Sequence, residues 1–124
     1  MPAHTNFDVD YARTWAEHDP DADTARQVLT WIEEGNSEEF AAAFAGPLNF
    51  GTAGLRAAVG AGETRMNRAV VIRTTYGLIT WLNQQVDAPV VVIGCDARHG
   101  SAQFQRDAAP VSYTHLTLPT TPYV

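Results

Sequence analysis

At 124 residues the chain has the length of one compact domain, and 45% apolar against 18% charged residues is ordinary globular composition that argues against wholesale disorder. All eight basic residues are arginine, and fourteen acids leave a net charge of −6, so the chain has no electrostatic footprint for broad nucleic-acid binding or for an anionic membrane. The absence of lysine excludes a Walker A lysine, a Schiff base and a kinase-type strand lysine. A single cysteine, Cys95, makes no intramolecular disulfide, and His4, His18, His99 and His115 lack zinc-ligand spacing. No apolar run approaches the roughly 20 residues of a membrane span, and the polar N-terminus is unlike a signal peptide. The expectation is a soluble cytoplasmic protein of a reducing compartment.

Residues 1–47 are expected to be a helical N-terminal extension, with the helical pattern beginning near residue 7. Asp23 or Thr24 can cap a helix that carries Val28, Leu29, Trp31 and Ile32 on or near one face and stops at Gly35. Asn36 then caps a second helix, with Glu39 completing a capping-box-like pattern ahead of Phe40 and Phe44. Gly46-Pro47 ends it. Trp15, Trp31 and the phenylalanines are expected to be core, packed across the segment that follows.

Residues 48–109 follow a different pattern. The glycine-punctuated turn FGTAG leads into Leu55–Val59, expected as a short strand, and Gly60-Ala61-Gly62 makes another loop. From an Asn67 cap, the spacing of Val70, Ile72, Tyr76, Ile79, Leu82 and Val86 predicts a helix of about five turns, with Gly77 as its weak point. Pro89 ends that pattern. Val90–Ile93 is an unbroken β-branched run, the signature of a strand covered on both faces, and Ser101 is a natural cap for a helix after it. Strand, helix, strand, helix in this order predicts a right-handed βαβ unit.

Ligands of open α/β sheets gather beyond the carboxyl ends of the strands, which directs attention to two loops. In the loop Gly94–Ser101, Asp96 can be a phosphoacceptor, a metal ligand or an acceptor of turn N–H groups. Arg98 stands where a dehalogenase-type nucleophile would need a second aspartate, and no G-x-S-x-G elbow surrounds Ser101. Cys95 reads as a small buried hydrophobe. In the other loop, Gly51, Thr52, Gly54, Arg56 and Arg65 combine close backbone approach with guanidinium forks suited to phosphate oxygens, although the glycines can equally be turning the chain.

Residues 110–124 contain no Ala and no charged residue other than the titratable His115, while three prolines and four threonines oppose a helix. The segment SYTHLTLP resembles a translated sequencing-adapter read joined to a truncated gene. Residues 110–124 are therefore expected to be a non-native tail, against the alternative of a structureless tail or edge extension, a choice decided by the source DNA across codons 108–112.

FGTAGLRAAVGAGETRMN, then a helix, then VVVIGCDARHGSAQF resembles the N-terminal domain I of the α-D-phosphohexomutase superfamily. It is most similar to the phosphoglucomutase/phosphomannomutase branch that includes phosphopentomutases and glucose-1,6-bisphosphate synthases. Trp15 and Asp19-Pro20 resemble that branch's N-terminal extension, so the likeness spans residues 10–109. It implies an incomplete three-layer α/β/α domain preceded by helices. It also implies an isomerase of carbohydrate metabolism that moves a phosphoryl group between the 1-position and the terminal hydroxyl of a sugar. The donor would be a phosphoserine, the intermediate a bisphosphorylated sugar, and the cofactors Mg²⁺ and a glucose 1,6-bisphosphate-type activator.

By the same resemblance Arg56 would lie beside the phosphoserine, Thr52 and Gly54 would shape the phosphate loop, and Gly94, Asp96, Arg98 and Ser101 would be structural; Arg65 joins the phosphate loop on its residue type. The family's serine loop Thr-Ala-Ser-His-Asn-Pro and metal loop Asp-Gly-Asp-Gly-Asp do not occur in the 124 residues, so metal ligands are absent and the chain itself is expected to be inactive. The alternative is a stand-alone module that binds a sugar phosphate or another anion.

Overall fold

A computed structural model describes residues 9–49, 51–52 and 54–116. Phe50 and Ala53 of the glycine turn, His4, and residues 117–124 of the expected tail lie outside the described residues. The described elements are helices α1 (Val9–His18), α2 (Ala22–Glu34), α3 (Ser37–Ala43), α4 (Arg68–Gln85) and α5 (Ser101–His115). The chain divides after Val70 into two compact units.

In the first unit the capping residues set the helix boundaries. α2 is capped by Asp21 rather than by Asp23 or Thr24: the Asp21 carboxylate accepts the Asp23 N–H at 2.9 Å, while the Thr24 hydroxyl turns back to donate to Asp19. Pro20, directly before Asp21, keeps its predecessor out of helical geometry, which favours the earlier start. Gly35, in the left-handed region at φ 66°, closes α2 as expected. Asn36 caps α3 by accepting the Glu39 N–H at 3.3 Å. Glu39 sends its carboxylate to Arg65, so the cap is one-sided.

Small residues on α1 admit the aromatic core. Ala12 and Ala16 are buried with Val28, Trp31, Phe40, Ala43, Phe44 and Ala61. Phe44, 2% exposed, is the hub: Trp15 and Tyr11 meet it edge-on, and the Phe40 ring lies 5.3 Å away. Burying a phenylalanine side chain stabilises by roughly 2–3 kcal/mol, so this hub anchors the three helices. The core expectation for Trp15 and Trp31 holds.

The second unit contains most of α4 and all of α5. Asn67 caps α4 as expected, accepting the Val70 N–H at 2.9 Å, and Gly77 sits inside the helix without interrupting it. Val70 and Ile79 are buried, whereas Tyr76 and Val86 are exposed.

The strand expectations are corrected. Among the described residues no strand is formed, and the pairings outside helices are isolated bridges, Gly51 with Gly54 and Val59 with Met66. Leu55–Val59 is therefore not a strand, and only its last residue takes part in a bridge. Val90–Ile93 has no ladder partner, and it is not covered on both faces: Val90 and Val92 are 75% and 80% exposed, while Val91 and Ile93 are half-buried. A β-branched run supplies a pleated surface, but a ladder needs a neighbour to exchange hydrogen bonds with.

Two further expectations fail at α5. Its N-cap is Gly100, at φ 86°, and Ser101 is the first helical residue, its hydroxyl taken up by the Asp96 N–H instead. The helix also continues through Pro110 to His115. The Ser112 hydroxyl donates to Ala108 O, the Asn83 amide donates to His115 O at 2.7 Å, and the Tyr76 ring meets His115 edge-on. These contacts outweigh the unfavourable proline and threonine propensities.

Candidate functional site

The candidate phosphate loop begins in a tight turn. Gly51 and Gly54 exchange backbone hydrogen bonds, 3.0 and 3.2 Å, with Gly54 at φ 98°. Thr52 and Gly54 are exposed at this turn. Two residues on, Arg56 is exposed and pairs with no carboxylate among the described residues. A guanidinium that is uncommitted beside a glycine turn can offer its planar fork to a phosphoryl group.

Arg65 is placed differently. Its guanidinium donates to a Glu39 carboxylate oxygen at 3.2 Å and lies 5.6 Å from the Trp31 ring centroid. It is thus held against α2 and α3 by an ion pair and a cation–π contact.

Around Arg65 the segment Gly60–Asn67 is tightly tied down. The Met66 N–H donates to Ala58 O at 2.8 Å and the Gly60 N–H to Met66 O at 3.0 Å. The Asn67 amide, 3% exposed, donates to both Gly60 O and Gly62 O at 2.8 Å. Glu63, 5% exposed, accepts the Tyr11 hydroxyl at 2.5 Å. Sequence reasoning missed Tyr11 and Glu63. They stand 52 positions apart, and no local pattern connects them.

The loop Gly94–Ser101 lies in the second unit and is self-contained. The Asp96 carboxylate accepts the Arg98 N–H at 3.0 Å and the Arg98 Nε–H at 2.8 Å, and the Ser101 hydroxyl accepts the Asp96 N–H. The Arg98 N–H foremost, then its guanidinium, holds the Asp96 carboxyl below the usual carboxylate range. Gly94 and Cys95 are both exposed, so the expectation of a buried thiol is corrected. The unpaired run before Cys95 leaves nothing over it.

In the first unit, burial pushes the Asp19 carboxyl above its ordinary value, against the opposing hydrogen bonds from Thr24 and Asp21. Among the described residues no three His, Cys, Asp or Glu side chains gather where they could hold a metal ion. No described helix is long and apolar enough to cross a membrane.

Comparison with known proteins gives a consistent picture. The family profile described as phosphoglucomutase/phosphomannomutase, alpha/beta/alpha domain I, matches residues 47–115. Human phosphopentomutase is 41% identical over 87 residues, covering 68% of this chain and 14% of that protein. Phosphoribomutase of Saccharomyces cerevisiae is 38% identical over 96 residues, 77% of this chain and 15% of that protein. Phosphoglucomutase of Staphylococcus aureus is 36% identical over 88 residues, 71% of this chain and 16% of that protein. The chain thus spans only 14–16% of the length of these curated relatives. No solved structure matches it.

Proposed function

We propose a function from one premise: this chain belongs to the phosphoglucomutase/phosphomannomutase family. The chain is part of a phosphosugar mutase, an isomerase that interconverts a hexose or pentose 1-phosphate with the corresponding 6- or 5-phosphate. The relatives' names, which include pentose, ribose and glucose enzymes, support that substrate class. A phosphoserine passes its phosphoryl group to the free hydroxyl of the bound sugar phosphate, leaving a free serine and a bisphosphorylated sugar. The bisphosphate reorients, and its other phosphoryl group returns to the serine.

Such a transfer makes its main demand on electrostatics, because negative charge is spread over the equatorial oxygens as the bond to the leaving oxygen breaks. Arg56 meets this demand by aligning two N–H donors with those oxygens, while Thr52 and Gly54 shape the turn that presents it. Asp96, Arg98 and Ser101 hold their own loop. The phosphorylated serine comes from a loop of the Thr-Ala-Ser-His-Asn-Pro type that these 124 residues do not contain, so the chain alone does not turn over.

The observation that carries this reading is the family match over residues 47–115, with the Gly51–Arg56 turn inside it. The experiment compares the purified 124-residue chain with a longer product of the same gene in conversion of glucose or ribose 1-phosphate. Turnover by the longer product alone is expected. Turnover by the 124 residues, or by neither, contradicts the proposal.

A further inference from the structure

The helices α1–α3 and the turn that follows α3 grip the Gly60–Asn67 segment at five separate points. The Thr64 N–H donates to Ala43 O at 3.0 Å, and the Thr64 hydroxyl donates to Gly46 O at 2.8 Å. Gly62 lies so close to α3 that a Cβ there would stand 2.5 Å from Ala43 O. The Tyr11 hydroxyl reaches from α1 to the buried Glu63 carboxylate. Arg65 is held between Glu39 of α3 and the Trp31 ring of α2.

Packing alone would explain contacts among apolar side chains. It does not explain why two charged side chains of one short loop each have a dedicated polar partner on a different helix. The loop in turn pins the chain just after Arg56, since Met66 binds Ala58 O and Gly60 binds Met66 O. The backbone leaving the glycine turn is therefore fixed from Ala58 onward, while the exposed Arg56 side chain keeps its rotamer freedom. A fixed backbone exit lowers the ordering cost of presenting Arg56 to a ligand without removing that of its side chain.

We infer that the N-terminal helices are a positioning platform for the phosphate loop, with Tyr11 and Glu39 as positioning residues that act on Arg56 through Glu63 and Arg65. Arg65 is then a latch and not a phosphate ligand. The importance of Arg56 itself rests on the function proposed above, but the platform does not.

The test is amide hydrogen exchange on the full chain. Tyr11→Phe keeps the ring against Phe44 and removes only the hydroxyl. It is expected to speed exchange at the Gly60 and Met66 amides roughly tenfold, the scale of a lost bond to a charged group, and to leave the α2 amides as they were. The Glu39 arm is electrostatic and partly exposed, so protection at the same two amides falls from low to high salt in the parent chain, and Glu39→Gln removes that salt dependence.

Unchanged exchange at Gly60 and Met66, or equal acceleration throughout α1–α3, overturns the inference. So does a salt dependence that survives Glu39→Gln. Arg56→Ala breaks none of these bonds and leaves the exchange pattern intact whatever it does to phosphosugar turnover, so the platform and the proposed function fail separately.

Discussion

Gly62 and Asp96 illustrate two different demands on single residues. At φ 106° and in contact with Ala43, Gly62 faces both a backbone conformation that side chains rarely adopt and a missing volume. Gly62→Ala is therefore expected to destabilise the first unit by about 3 kcal/mol, the sum of backbone strain and overpacking, as a fall in the urea midpoint. A change within about 0.5 kcal/mol, the range of an ordinary surface substitution, would show that the loop is free to move off α3.

Asp96 makes a pH-dependent contribution. Its folded pKa is depressed, foremost by the Arg98 N–H, so the stabilisation is present above the ordinary carboxylate value of about 3.9 and is lost as pH falls through the lower folded value. Asp19 has the opposite sign: burial raises its folded pKa, so its contribution is present below the ordinary value and is lost as pH rises through the raised one. In an NMR titration the Arg98 amide of the parent chain should move with the low-pH transition of Asp96, and Asp96→Asn should abolish that movement. An Arg98 amide that still titrates in the variant would place the cause elsewhere.

At the scale of elements, the helices follow from local chemistry more fully than the strands do. Asn36, Gly35 and Asn67 act at the boundaries where their side chains or backbone freedom are useful, and each could be found in the sequence. The true cap of α2, Asp21, was hidden by two further candidates within three residues, Asp23 and Thr24. Val90–Ile93 forms no ladder among the described residues, because β-branching reports suitability for a sheet, whereas pairing depends on a neighbour that no local pattern specifies.

α5 is the reverse case, a helix that propensity opposes. A proline inside a helix loses one hydrogen bond and is about 3 kcal/mol worse than alanine. Pro110→Ala should therefore stabilise the second unit by roughly 1–3 kcal/mol, in thermal melts followed by far-ultraviolet circular dichroism. No gain would mean that the helix does not persist beyond Ala109.

For the whole molecule, the family was legible from the FGTAGLR and GETRMN segments and the loop GCDARHGS, because glycine turns flanked by arginines at fixed spacing are specific. The platform was not legible. Tyr11–Glu63 and Glu39–Arg65 join residues far apart in sequence, and only folding of α1–α3 onto the loop brings them together. Arg65 suits phosphate by residue type, and in the folded chain its guanidinium pairs with Glu39 of α3 and lies over the Trp31 ring of α2.

The most direct measurement of the central claim is the steady-state kinetics of Arg56→Ala in a longer product of the gene that includes this segment. If Arg56 stabilises the transferring phosphoryl group, kcat falls by roughly 10²–10³ while KM changes far less. A variant that retains the parent kcat would contradict the account.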